Sequence, residues 1–87
     1  MEREYIATFY NHFGAVRFHR ERLREGRAAR MQPVPRDLSS SCGTAVRFTA
    51  DYPEEPELLE ISDPHGEIEQ LVELCREGYR LRYRSSE

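Results

Sequence analysis

The spacing of apolar residues switches along this chain between a period of two and a period of about 3.6, and the switches fall near asparagine, proline and glycine. Residues 5–10, Tyr-Ile-Ala-Thr-Phe-Tyr, are β-branched and aromatic and read as a strand. Asn11 offers an N-cap side chain. The run from His12 to Glu25 then carries Phe13, Val16 and Leu23, with Ala15 and His19, on a helical stripe. Gly26 ends it, since it adopts positive φ without a Cβ clash. Residues 28–34 read as a second strand, kept to a sheet edge because Pro33 and Pro35 have no N–H to donate. Residues 44–50 read as a third. The acidic, proline-punctuated stretch 51–62 reads as a loop with one short element near Leu58–Ile61. Asp63 and Pro64 then suit a helix start, with Ile68, Leu71, Val72 and Cys75 on one apolar face, Cys75 packed in the core. Gly78 closes that helix. Tyr79 to Arg84 alternates cleanly as a last strand.

The resulting order, β-α-β-β-α-β, predicts an α+β fold of ferredoxin-like type. It is one domain over residues 1–87: a four-stranded antiparallel sheet, order 4-1-3-2, with two helices on one face. Right-handed crossovers put the third strand beside the first. Cys42, just before the third strand, then comes near Tyr10, Asn11 and His12. The N-terminal end of the first helix lies there too, and its unpaired N–H groups favour a thiolate.

Charge is unevenly divided. Residues 1–50 carry nine arginines against five acids, and residues 51–87 carry four against eleven, within a net charge of −3. Complementary surface patches account for this, and a positive face for an acidic partner is the sharper alternative. No apolar run approaches a membrane span, and the N-terminal Met-Glu-Arg-Glu-Tyr-Ile-Ala-Thr-Phe-Tyr has no signal-peptide core. The expectation is a cytoplasmic protein with two free thiols, Cys42 and Cys75, rather than a disulfide scaffold.

The cysteine of interest is Cys42, in Met-Gln-Pro-Val-Pro-Arg-Asp-Leu-Ser-Ser-Ser-Cys-Gly. A loop thiol serves as a nucleophile or group carrier when it is accessible and partly ionised. Gly43 leaves room for a partner's reactive atom, Ser39, Ser40 and Ser41 add hydroxyls and loop amides, and Arg36 can hold an anion. Other chemistries fit less well. Cys42 to Arg47 is one residue short of a phosphatase loop. Two distant cysteines and His12, His19 and His65 lack zinc-ligand spacing, so no metal is expected. C-x-x-C and phosphate-binding glycine motifs are absent. A Cys–His hydrolase through His12 has no evident third residue.

The stretch Pro-Val-Pro-Arg-Asp-Leu-Ser-Ser-Ser-Cys-Gly-Thr-Ala-Val-Arg-Phe resembles the signature of a small bacterial family described as putative selenium/sulfur carrier protein-like, whose domain also occurs behind TusA-type sulfur carriers. Ala-Thr-Phe-Tyr-Asn-His-Phe-Gly-Ala-Val-Arg-Phe-His-Arg-Glu-Arg-Leu-Arg-Glu-Gly is similar to its first strand and helix. The resemblance covers about residues 4–50, and the acidic 51–62 segment departs from it. It implies a carrier rather than an ordinary enzyme, with Cys42 accepting sulfur or selenium as a persulfide or selenosulfide and no metal or organic cofactor. The implied partners are a donor such as a cysteine desulfurase and an acceptor protein. The alternative is a binding module whose open sheet face presents Arg30, Arg47, Arg80, Arg82 and Arg84 with Tyr5 and Phe9. Such a face stacks single-stranded RNA in some folds, but the negative net charge disfavours nucleic acid. A better match is the acidic 51–60 segment of the same chain or of a second copy, as a homodimer.

Overall fold

The computed structural model describes residues 1–86. Its elements are β1 (Arg3–Phe9), α1 (His12–Arg24), β2 (Ala29–Pro33), β3 (Thr44–Ala50), a single 3-10 turn at Pro56–Leu58, β4 (Ile68–Cys75) and β5 (Gly78–Arg84). The strands form one antiparallel sheet in the order β2-β3-β1-β4-β5.

The first half follows the local signals. Asn11 accepts the Gly14 N–H at 2.8 Å and starts α1. At the other end, Gly26 (φ 78°) donates to the Leu23 carbonyl and Arg27 to that of Arg22, the paired bonds of a Schellman motif. β2 lies at the edge and β3 pairs with β1, as the crossover argument expects.

The second half overturns the ferredoxin-like expectation. There are five strands and one α-helix among the described residues, not four strands and two helices. Residues 68–75 are a strand, β4, inserted between β1 and the last strand. The reason lies just upstream. Asp63-Pro64-His65-Gly66 closes a tight turn in which the Gly66 N–H donates to the Asp63 carbonyl at 3.1 Å, with Gly66 at φ 62°. The Asp63 carboxylate accepts not the amides of a first helical turn but those of Glu67 (2.9 Å) and Ile68 (3.1 Å), which hold the entry to β4. Once paired on both sides, β4 is buried on both faces. Ile68, Gln70, Leu71, Val72 and Glu73 are all buried, so a strand carries an apolar spacing that also fits a helix. Arg76 and Glu77 form the two-residue link to β5, with Gly78 at φ 137°. Cys75 sits at that hairpin end and is exposed, which corrects its expected core position.

Two layers follow from the strand faces. Tyr5, Ala7 and Phe9 of β1 point to the helix side and pack with Phe48, Phe18 and Ile68. The Phe18 and Phe48 rings meet edge to face at 5.0 Å, and Tyr52 meets Tyr5 at 4.9 Å. Tyr52 and Ile61 bring the acidic segment onto this core, so a strap joins the helix on that side of the sheet. Tyr5 and Phe9 therefore do not lie on the open face. Arg82 is displaced inward by a register shift between Leu71 and Val72 of the β4–β5 ladder. Its guanidinium donates to Glu73 at 3.0 Å and to the Pro53 carbonyl at 2.6 Å, with both side chains of the ion pair under a tenth exposed. Arg80 joins Glu73 and Glu54. The acidic segment thus does meet arginines, but on the strap side. Arg30 and Arg47 share a row on the open face, where Arg47 pairs with Glu4.

Two predictions arise from this packing. A Cβ on Gly14 would lie 2.7 Å from the Glu67 Cβ, where α1 crosses the entry to β4. Gly14→Ala should destabilise the fold by about 1–3 kcal/mol, read as a drop in thermal midpoint of several degrees by circular dichroism. Arg17 clamps Glu67 with two hydrogen bonds and holds its carboxyl below the ordinary value of 4.5. A depressed acid stabilises the fold above its unfolded pKa and loses that contribution as pH falls through its folded pKa. Wild type should melt above Glu67→Gln at neutral pH, and the gap should close on acidification below 4.5.

Candidate functional site

The 34–43 loop between β2 and β3 folds back over the open face of the sheet. Its ends are joined where the Val34 N–H donates to the Gly43 carbonyl at 3.1 Å, and the Leu38 N–H closes a turn onto Pro35. Val34 and Leu38 pack on Ile6, Ala45 and Val72, so apolar burial holds the loop base.

Polar contacts hold its tip. Ser40 Oγ donates to the Phe9 carbonyl at 3.3 Å and accepts the Cys42 N–H at 3.3 Å. Gln70 Nε2 donates to the Ser39 carbonyl at 3.3 Å, and Arg84 in turn donates to Gln70 Oε1. Ser41 donates both its N–H and its hydroxyl to the Glu69 carboxylate, each at 2.9 Å. Cys42 emerges half-buried, with the Thr44 N–H donating to Sγ at 3.3 Å. An N–H so placed binds a thiolate more strongly than a thiol. The donor is thus the start of β3, not an amide of α1.

The remaining expected residues fall around this loop with different roles. His12 Nδ1 lies 3.1 Å from Thr44 Oγ1, so the first turn of α1 touches the residue that faces the sulfur. Asn11 is committed to capping α1. Arg36 is exposed and has no hydrogen bond or ion pair among the described residues. A Cβ on Gly43 would meet nothing within 4 Å beyond its chain neighbours. His19 is half-buried and donates to the Ala29 carbonyl, away from the loop. Among the described residues no cluster of His, Cys, Asp and Glu could hold a metal ion, and no helix is long and apolar enough to cross a membrane.

Sequence reasoning missed Glu69, Gln70 and Thr8. The first two stood on the expected second helix, far from Cys42. The signal that would have found them is Asp63-Pro64-His65-Gly66, a turn pattern with aspartate first, proline second and glycine fourth. Read as a turn, it sends residues 68–75 back along β1 to the cysteine loop.

A family model described as "Putative Se/S carrier protein-like" matches residues 4–73. The match runs beyond residue 50, through the acidic segment and into β4. No curated protein and no solved structure matches.

Thr8 lies on the same sheet face as Ala45 and Gln70 and is fully buried, its hydroxyl without a hydrogen-bond partner among the described residues. An unpaired buried hydroxyl costs about 1–3 kcal/mol. Thr8→Val keeps the shape and removes the hydroxyl, so it should raise the thermal midpoint; an unchanged or lower midpoint contradicts the assignment.

Proposed function

Because the chain belongs to the family described as putative Se/S carrier protein-like, we propose that it carries sulfur or selenium on Cys42. The observation that supports this reading is the Cys42 sulfur itself. It is half-buried on a loop pinned by Ser39, Ser40 and Ser41, with the Thr44 N–H directed at it and open space beside Gly43.

The chemistry asked of this geometry is a thiol exchange. The Cys42 thiolate attacks the outer sulfur of a persulfide on a donor protein. A new S–S bond forms at Cys42, the S–S bond within the donor breaks, and the donor cysteine leaves as a thiolate. The oxidising equivalent moves with the transferred atom, so no external oxidant is needed, and the same step with an outer selenium leaves a selenosulfide. An acceptor thiol or other nucleophile later takes the terminal atom and restores the Cys42 thiol. The Thr44 N–H is placed to steady negative charge on the sulfur, and the unpaired Arg36 is available to an anionic group of the donor. A cysteine desulfurase is the donor of matching chemistry. The RNA-binding alternative loses its stacking platform, since Tyr5 and Phe9 are buried in the core.

The test is intact mass after incubation with a cysteine desulfurase and either cysteine or selenocysteine. Wild type and Cys75→Ser should each gain one sulfur or one selenium atom, and Cys42→Ser should gain none. Loading that persists in Cys42→Ser would overturn the proposal.

A further inference from the structure

Glu69 occupies an irregular place in the sheet. On β4, Gln70 faces Thr8 and Ile68 faces Phe9, so Glu69 is an extra residue with no partner on β1, a β-bulge. Its carbonyl accepts the Ser85 N–H at 2.9 Å beyond the end of β5, which fixes the bulge from the other side. A bulge breaks the alternation of a strand and re-aims one side chain, a device frequent beside functional sites. Here the carboxylate meets the cysteine loop at Ser41. One oxygen takes the Ser41 N–H and the other takes the Ser41 hydroxyl. Among the described residues it is the one charged side chain hydrogen-bonded to the 34–43 loop.

We propose that Glu69 is the positioning residue of Cys42: by gripping Ser41 at both its main-chain and side-chain donors, it holds the next residue, Cys42, in the conformation that sets Sγ against the Thr44 N–H. This rests on the carrier reading for its purpose, but the geometry can be tested without it. The bonds are charge-assisted and two-pronged, so they fix both the position and the rotation of Ser41. The neighbouring bonds from Ser40 and Gln70 are single and longer, at 3.3 Å. Glu69 has no ion pair among the described residues, so its charge has no competing structural use. A carboxylate is also an unexpected neighbour for a thiol that must ionise, because like charges repel. That conflict gives the experiment its direction. If Glu69 acted through charge alone, removing it would speed Cys42. If it acts by positioning, removing it slows Cys42.

The test uses the full chain carrying Cys75→Ser, so that Cys42 is the single thiol. The pH profile of alkylation by iodoacetamide is compared for Glu69, Glu69→Gln and Glu69→Ala. Glu69→Ala should lower the rate about tenfold, with the lower rate persisting on the alkaline plateau where ionisation is complete. Glu69→Gln keeps one acceptor oxygen and should recover most of the rate. Ser41→Ala, which changes the other side of the contact, should slow alkylation less, and adding it to Glu69→Ala should cause no further loss. Far-UV circular dichroism confirms that each variant folds. A Glu69→Ala variant that reacts at the wild-type rate or faster overturns the inference, as does full additivity with Ser41→Ala. Loading with sodium polysulfide separates the two readings. Slowed alkylation in Glu69→Ala, together with no sulfur uptake by the wild type, sinks the carrier function and leaves the positioning role standing. Normal loading with unaltered alkylation does the reverse.

Discussion

The carboxylate of Asp63 holds the N–H groups of Glu67 and Ile68, and the course of the chain beyond the strap follows from that clamp. With Gly66 in the left-handed region, the backbone cannot wind on as a helix at low cost, so it reverses and enters the sheet beside β1. Inserting β4 makes β1 a central strand and moves the last strand out to the edge. It also fixes where Glu67 stands, close enough to α1 that a Cβ at position 14 would force a shift. The helix, the sheet and the cysteine loop are therefore all referenced to one short turn.

The uneven charge of the two halves has its structural meaning in the joins between them. Arg3 bridges Glu54 and Glu73, Arg17 clamps Glu67, and the N-terminal amine meets Asp51. Most of these pairs are exposed and each is worth little by itself. Within the second half, Glu73 with Arg82 differs: it is buried and receives further hydrogen-bond support from Arg80 and Pro53. A buried pair of this kind fixes geometry more than it adds stability, since breaking either side leaves a charge without solvent. It ties β4, β5 and the strap into one arrangement on the side of the sheet where a second helix was expected.

The cysteine loop combines these features. Its base is held by burial of Val34 and Leu38, a non-directional force that fixes position but not orientation. Orientation comes from hydrogen bonds supplied by two neighbouring residues of β4, Glu69 and Gln70, on either side of the point where the bulge breaks alternation. A regular strand would send two successive side chains to opposite faces, and only one could reach the loop. The bulge lets both do so.

The sequence by itself determined β1, α1, β2 and β3 and the loop that bears Cys42, because the signals that set them are local. Asn11 caps the helix that follows it, Gly26 ends it, the prolines keep β2 at an edge, and right-handed connection puts β3 next to β1. The nearness of His12 to the start of β3 was legible for the same reason. Tertiary structure alone decided the identity of residues 68–75, the exposure of Cys75 and the reach of Glu69 to Ser41. A strand buried on both faces has no polar side to show a period of two, so Ile68, Leu71, Val72 and Cys75 fit a helix equally well. The choice falls to neighbours, β1 on one side and β5 on the other, that periodicity within the segment cannot register.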